Sequence, residues 1–178
     1  MAHHIIRGLA LASEHPGPAC YTAKRRRPRG AKGVGVKYEK DLARKLGPSA
    51  RHGQWFEFYD ASGRGYAQTD FLLFASDGVF CLEAKLGNIE LGMRQFALLY
   101  RPLLEHIYGL PAYGIVCARH IGEAPDPKLV VTSLHDATRL ARMGHIPVLH
   151  WRERLPLVVP PGLGPLSAKP APRRNLSA

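Results

Sequence analysis

Apolar positions recur along the chain in two periods, and the switches between them mark its elements. Tyr38, Leu42 and Leu46 fall four residues apart within residues 36–46, the spacing of one helical face, and Gly47-Pro48 ends the run. Glu39 lies beside Tyr38 and directly above Leu42 on that stripe; pairing with Lys40 or Arg44 would be its ordinary role. Residues 54–60 predict a strand, followed by a flexible loop, Ala-Ser-Gly-Arg-Gly, that carries Ser62 and Arg64. Two aromatic-rich runs, 66–74 and 79–85, then flank a polar break ending in Asp77-Gly78, which predicts a tight hairpin. Residues 89–100 predict a helix that Arg101-Pro102 kinks or interrupts before it resumes to His106 or Tyr108. Further strands are predicted at 111–118, 129–132 and 147–151, with Ser133 capping a helix over 134–143. Residues 1–12 predict a short helix. Antiparallel strands followed by a helical crossover to another strand imply an α/β fold, αβββαβ in order, with helices on the faces of a mixed sheet.

Three charged residues sit inside the hairpin runs, where charge is least expected: Asp70, Glu83 and Lys85. Glu83 and Lys85 share a strand face, about 6–7 Å apart. With Asp77-Gly78 as the two-residue loop, Asp70 faces Lys85; with Ser76-Asp77, it faces Glu83. Either register puts all three on one face. Two desolvated carboxylates repel, and one lysine cannot neutralise both. A divalent cation resolves the conflict, and Mg²⁺ is commonly held by one or two carboxylates plus a substrate phosphate. The lysine is then free to orient a water or to meet charge developing on phosphorus. These residue types fit metal-assisted attack on a phosphodiester.

Charge distribution suggests the polymer. The net charge of +11 is concentrated at the ends, +6 in residues 1–35 and +4 in residues 151–178, around a nearly neutral middle. Residues 13–35 are broken by Pro and Gly and contain Lys24, Arg25, Arg26, Arg27, Arg29 and Lys32, which reads as a disordered arm able to lie along phosphates. Basic tails that merely keep the protein soluble are the bland alternative. The chain divides into a basic arm (1–35), a packed domain (36–154) and a Pro-rich basic tail (155–178) with little to bury. Its 178 residues suit one domain with tails, and no apolar run is long enough to span a bilayer, so no membrane partner is expected. Three widely spaced cysteines without a CxxC pattern argue for a reducing, cytoplasmic setting and against a zinc knuckle. The nine histidines show no compact zinc spacing, and Gly33-Val-Gly35 lacks the strand and third glycine of a dinucleotide site.

Glu39 on the first helix, Asp70 on the second strand, Glu83-Ala84-Lys85 on the third and Gln95 on the next helix together resemble the PD-(D/E)XK nuclease superfamily. The resemblance covers roughly residues 36–118. Lys32-Gly33 ahead of Glu39, and Ser62-Gly63 ahead of Asp70, look most like the archaeal-type Holliday-junction resolvases. It implies a restriction-endonuclease-like core and a Mg²⁺-dependent DNA endonuclease, with Mn²⁺ as a substitute, acting on branched DNA as a homodimer. Products with 5′-phosphate and 3′-hydroxyl ends would follow, in a bacterial, archaeal or viral setting, with recombination, repair, host defence and processing of a mobile element's genome all open as the role. Asp70, Glu83 and the Ala84 carbonyl would bind the metal, Lys85 would position the attacking water, and Glu39 would hold a water of the ion's shell or a second ion. Gln95 would complete the catalytic set; Ser62 and Arg64, with the basic arm, would contact DNA. Two departures stand out. Thr69 replaces the proline before Asp70, and Leu99 occupies the place four after Gln95 where the exonuclease branch has tyrosine; Tyr100 comes one later. A non-catalytic DNA-binding protein on the same scaffold, an exonuclease and an RNA-directed nuclease are the alternatives.

Overall fold

Six strands build the main sheet of the computed structural model, which describes residues 5–18, 30–122 and 126–165. Their order across the sheet is β2 (Arg51–His52), β5 (Phe71–Ala75), β6 (Gly78–Lys85), β7 (Ala112–Ala118), β9 (Val148–His150) and β8 (Val130–Val131). Strand β5 is antiparallel to both β2 and β6, whereas β6, β7, β9 and β8 run parallel, so the α/β fold has the expected mixed sheet. A smaller antiparallel sheet, β1 (Leu11–His15), β3 (Trp55–Asp60) and β4 (Gly63–Gln68), packs against it.

Alternation along the strands divides the core. Phe71, Leu73, Phe80 and Leu82 face helix α1 (Gly30–Leu46) and helix α4 (Leu134–Arg142), joining Tyr38, Leu42, Leu46, Leu134, Ala137 and Trp151. Leu72, Phe74, Val79 and Cys81 face the other way, onto Phe56 and Phe58 of the small sheet and onto Leu103, Leu104 and Tyr108 of helix α3 (Arg101–Tyr108). Ser133 caps α4 as expected, its side chain accepting from the Asp136 amide at 3.1 Å.

Several expectations are corrected. Residues 5–10 carry no helix, and Leu11–His15 is a strand paired with β3, so the expected helix over 1–12 is absent among the described residues. Helix α1 starts at Gly30, not Val36, although Gly30, Gly33 and Gly35 lower its intrinsic propensity. The segment after Asp60 is a two-residue turn rather than a flexible loop, and Arg64 lies in a strand. The single run 66–74 is two strands in different sheets, parted at Thr69-Asp70. The hairpin turn is Ser76-Asp77, with Gly78 pairing with Ala75. Gly78 serves a close approach instead of a left-handed turn, since a Cβ there would sit 2.4 Å from Tyr113 and 2.6 Å from the Pro111 carbonyl. The packed region also runs past Leu155: Leu157 and Leu163 are buried, and Gly164 exchanges two backbone hydrogen bonds with Phe74.

The α-helical run is interrupted just before Arg101-Pro102, as expected, and Pro102 stands in the first turn of the helix that follows. Helix α2 (Ile89–Gln95) passes into α3 through a π-helical turn, Phe96–Tyr100, in which the Arg101 amide bonds to the Phe96 carbonyl five residues back.

Candidate active site

The turn chosen by the hairpin decides where Asp70 stands. Pairs Ala75–Gly78 through Phe71–Leu82 extend by one residue to Asp70 opposite Glu83, the second of the two registers open from the sequence. Strand β5 begins after Asp70, so the Ala84 amide has no ladder partner on that side, and Asp70 Oδ2 accepts it at 2.8 Å. The Lys85 carbonyl accepts the Arg119 amide on the β7 side, so the Ala84 carbonyl, one residue back, points to the same edge as Asp70. Glu83 is 2% exposed, and its Oε2 accepts from Lys85 Nζ at 2.9 Å. Its other oxygen, Oε1, is buried and has no hydrogen-bond partner.

Electrostatics follow from this burial. Desolvation first, and then the charge of Asp70, push the Glu83 carboxyl up to about 8, against the pull of Lys85. Asp70 is raised to about 6, again chiefly by burial; Lys85 opposes the rise and Glu39 adds to it. Burial acts to lower the Lys85 ammonium, yet Glu83 and Asp70 outweigh it and hold the pKa above the usual lysine range. The trio is therefore one coupled unit carrying more acid than its single cation can balance.

Glu39 reaches the same neighbourhood from α1. It pairs with neither Lys40 nor Arg44, since Arg44 is bound to Asp41; instead Glu39 Oε1 lies 2.7 Å from His52 Nε2. Lys32 is exposed in the first turns of α1, two helical turns before Glu39 on the same side, and so belongs to the helix and not to an arm. Gln95 ends α2 one turn after Gly92, against which the Lys85 side chain packs: a Cβ on Gly92 would lie 3.3 Å from Lys85 Cγ. Gln95 Oε1 is buried without a partner. The five-residue gap to Tyr100, one too many for a regular helix, is absorbed by the π turn. Tyr100 is buried within the field of Glu83, which together with burial raises its phenol, and its hydroxyl donates to the Gln68 carbonyl at 2.8 Å.

The structure thus gathers Asp70, Glu83, Ala84 and Lys85, with Glu39 and Gln95 at the margins. Ser62 and Arg64 are elsewhere. They sit at the turn end of β3–β4, and β4 separates them from Asp70 by roughly 20 Å of extended chain. Arg64 is also engaged, bound to Glu57 and lying 5.1 Å over the Tyr66 ring. Lys24, Arg25, Arg26, Arg27 and Arg29 lie outside the described residues. Two site neighbours went unassigned from sequence, His52 and Tyr100. A histidine in a two-residue strand carries no periodic signal, and only the departure at Leu99-Tyr100 hinted at the second.

Among the described residues no group of three or more His, Cys, Asp or Glu side chains converges as a preformed metal cage. Mg²⁺ does not require one, because it keeps several waters and takes one or two carboxylates. The donor set fits such an ion: two carboxylates of raised pKa, a backbone carbonyl on the same edge, and two buried amide or carboxyl oxygens left unpartnered. No family model, curated protein or solved structure matches the chain. Among the described residues no helix is long and apolar enough to cross a membrane.

Proposed function

We propose that the chain is a Mg²⁺-dependent nuclease that hydrolyses DNA phosphodiester bonds at the Asp70–Glu83–Lys85 site. The observation that carries this reading is the buried Glu83 carboxylate, opposite Asp70 with one oxygen on Lys85 and the other unpartnered. A structural ion pair would leave no spare buried acceptor and would not set a second carboxyl beside the first. Asp70, Glu83 and the Ala84 carbonyl would hold the ion, with Mn²⁺ as a substitute. When bound, the cation supplies Lewis-acid charge to the phosphate and makes water a stronger nucleophile near neutral pH.

The chain's own groups do the rest. Lys85, held by Glu83 and packed on Gly92, presents its ammonium to the attacking water and to the charge that builds on the phosphate oxygens. Gln95 has a free acceptor oxygen with which to orient a water. Substrate approach is favoured at the carboxyl edge of the parallel strands, where Lys85, Ala118 and His150 stand in register across about 10 Å. Arg152 and Arg154 follow on that edge, beside a cavity of about 510 Å³ lined also by His150 and Glu153. The resemblance to archaeal-type Holliday-junction resolvases makes branched DNA the first substrate to test and homodimerisation the assembly to test with it.

The experiment is cleavage of four-way, linear and single-stranded DNA, with single-stranded RNA alongside, in Mg²⁺ and read on denaturing gels for wild type, Glu83→Ala and Lys85→Ala. Cuts by the wild type alone are expected. Equal activity in all three proteins excludes this site, and binding without cleavage in any metal favours a DNA-binding protein on a nuclease scaffold.

A further inference from the structure

We propose, on the strength of the nuclease reading above, that His52 is a positioning residue that aims the Glu39 carboxylate at the cation held by Asp70. An ionised carboxylate only accepts, so the 2.7 Å contact requires the proton on His52 Nε2, which donates to Glu39 Oε1. The ring is fixed on its other side: it stacks on Phe71 with centroids 5.0 Å apart and planes 20° from parallel. Its backbone is fixed as well, because β2 pairs His52 with Phe71.

The turn that follows clasps the chain at Asp70. The Gly53 amide donates to the Asp70 carbonyl at 2.9 Å, and the Thr69 amide donates to the Gln54 carbonyl at 3.0 Å. The Gln68 side chain donates to the Gly53 carbonyl, also at 3.0 Å. Residues 52–54 therefore hold Asp70 through the backbone and Glu39 through one side chain. They tie a carboxylate on a helix to one on the sheet across 31 residues of sequence. Arg51, on the opposite face of β2, is turned away to Glu14 at 2.8 Å and to the Phe74 ring. His52, paired with Phe71, stands on the face of the sheet that α1 covers, and so reaches the site through Glu39. Its ring bonds to Glu39 and stacks on Phe71, which assigns it to orientation, not to contact with the reacting atoms.

Outer partners that orient metal-binding carboxylates typically change metal affinity or activity about 10–100-fold when removed. The test is calorimetric titration of Mn²⁺ into DNA-free wild type, His52→Ala, His52→Gln, Glu39→Ala and the Glu39→Ala/His52→Ala double variant, with thermal unfolding in EDTA as the folding control. Gln keeps an N–H donor near the Nε2 position. We expect His52→Ala to weaken Mn²⁺ binding by a factor in that range, His52→Gln to recover most of it, and the double variant to bind no more weakly than Glu39→Ala alone. Midpoints in EDTA should agree within a few degrees. Wild-type affinity in His52→Ala overturns the proposal, as do additive losses in the double variant or a failure of His52→Gln to recover affinity. Absence of Mn²⁺ binding in the wild type overturns it together with the nuclease reading, whereas normal wild-type binding with an indifferent His52 overturns it alone.

Discussion

Replacing Glu83 by glutamine should make the metal-free protein more stable at alkaline pH while abolishing its response to metal. Folding raises this carboxyl from 4.5 to about 8, through burial first and the charge of Asp70 second. A group that holds its proton more tightly when folded contributes stability that is present below pH 4.5 and lost as pH climbs toward 8. Integrated over that window, the loss is roughly 4 kcal/mol. Asp70, raised to about 6, adds a loss of the same sign that sets in at lower pH. Lys85 offsets neither across this range, because it stays charged throughout. For a domain of this size ~4 kcal/mol corresponds to about 8–16 °C in melting temperature. The assay is thermal and urea unfolding in EDTA at half-unit steps from pH 5 to 8.5. Wild type should fall steeply, and Glu83→Gln should fall much less, crossing above it near neutral pH. Mg²⁺ should restore the wild type at pH 8 and leave the variant unmoved. Parallel pH profiles for the two proteins would refute the claim that Glu83 is ionised at the expense of the fold.

Lys85→Met should lower the cleavage rate by at least about 10²-fold, the scale of one lost charge-stabilising group, with Mn²⁺ binding retained in calorimetry. Leu157→Ala should destabilise by about 2–4 kcal/mol, since its side chain closes the face shared by α1 and α4; an unchanged urea midpoint would return the segment after Leu155 to the status of a tail. Gly78→Ala should destabilise by about 1–3 kcal/mol through overlap with Tyr113 and the Pro111 carbonyl, and pairing it with Tyr113→Ala should recover part of the loss.

The elements with strong periodicity were legible from residues alone: the apolar stripe of α1, the paired runs around Ser76-Asp77, the strand at Ala112–Ala118 and the Ser133 cap. So was the convergence of Asp70, Glu83 and Lys85, because strand alternation makes it independent of which two residues form the turn. What escaped depended on contacts distant in sequence. The glycines of α1 gave no sign that the helix would extend back to Gly30. The break at Thr69-Asp70, which splits one apolar run between two sheets, left no mark because both halves remain β-like. Leu157 and Leu163 sit among prolines, and their burial in the cluster around Trp151 follows from the pairing of Gly164 with Phe74 of β5. His52 and Glu39 meet because β2 pairs with β5, and a two-residue strand has no pattern to read.

Anomalous diffraction from crystals soaked in Mn²⁺ tests the central claim most directly. A peak within ligand distance of an Asp70 oxygen, Glu83 Oε1 and the Ala84 carbonyl is the expected result, with Lys85 turned toward solvent or substrate. Crystals that take up Mn²⁺ elsewhere while Glu83 stays bound to Lys85 would contradict it.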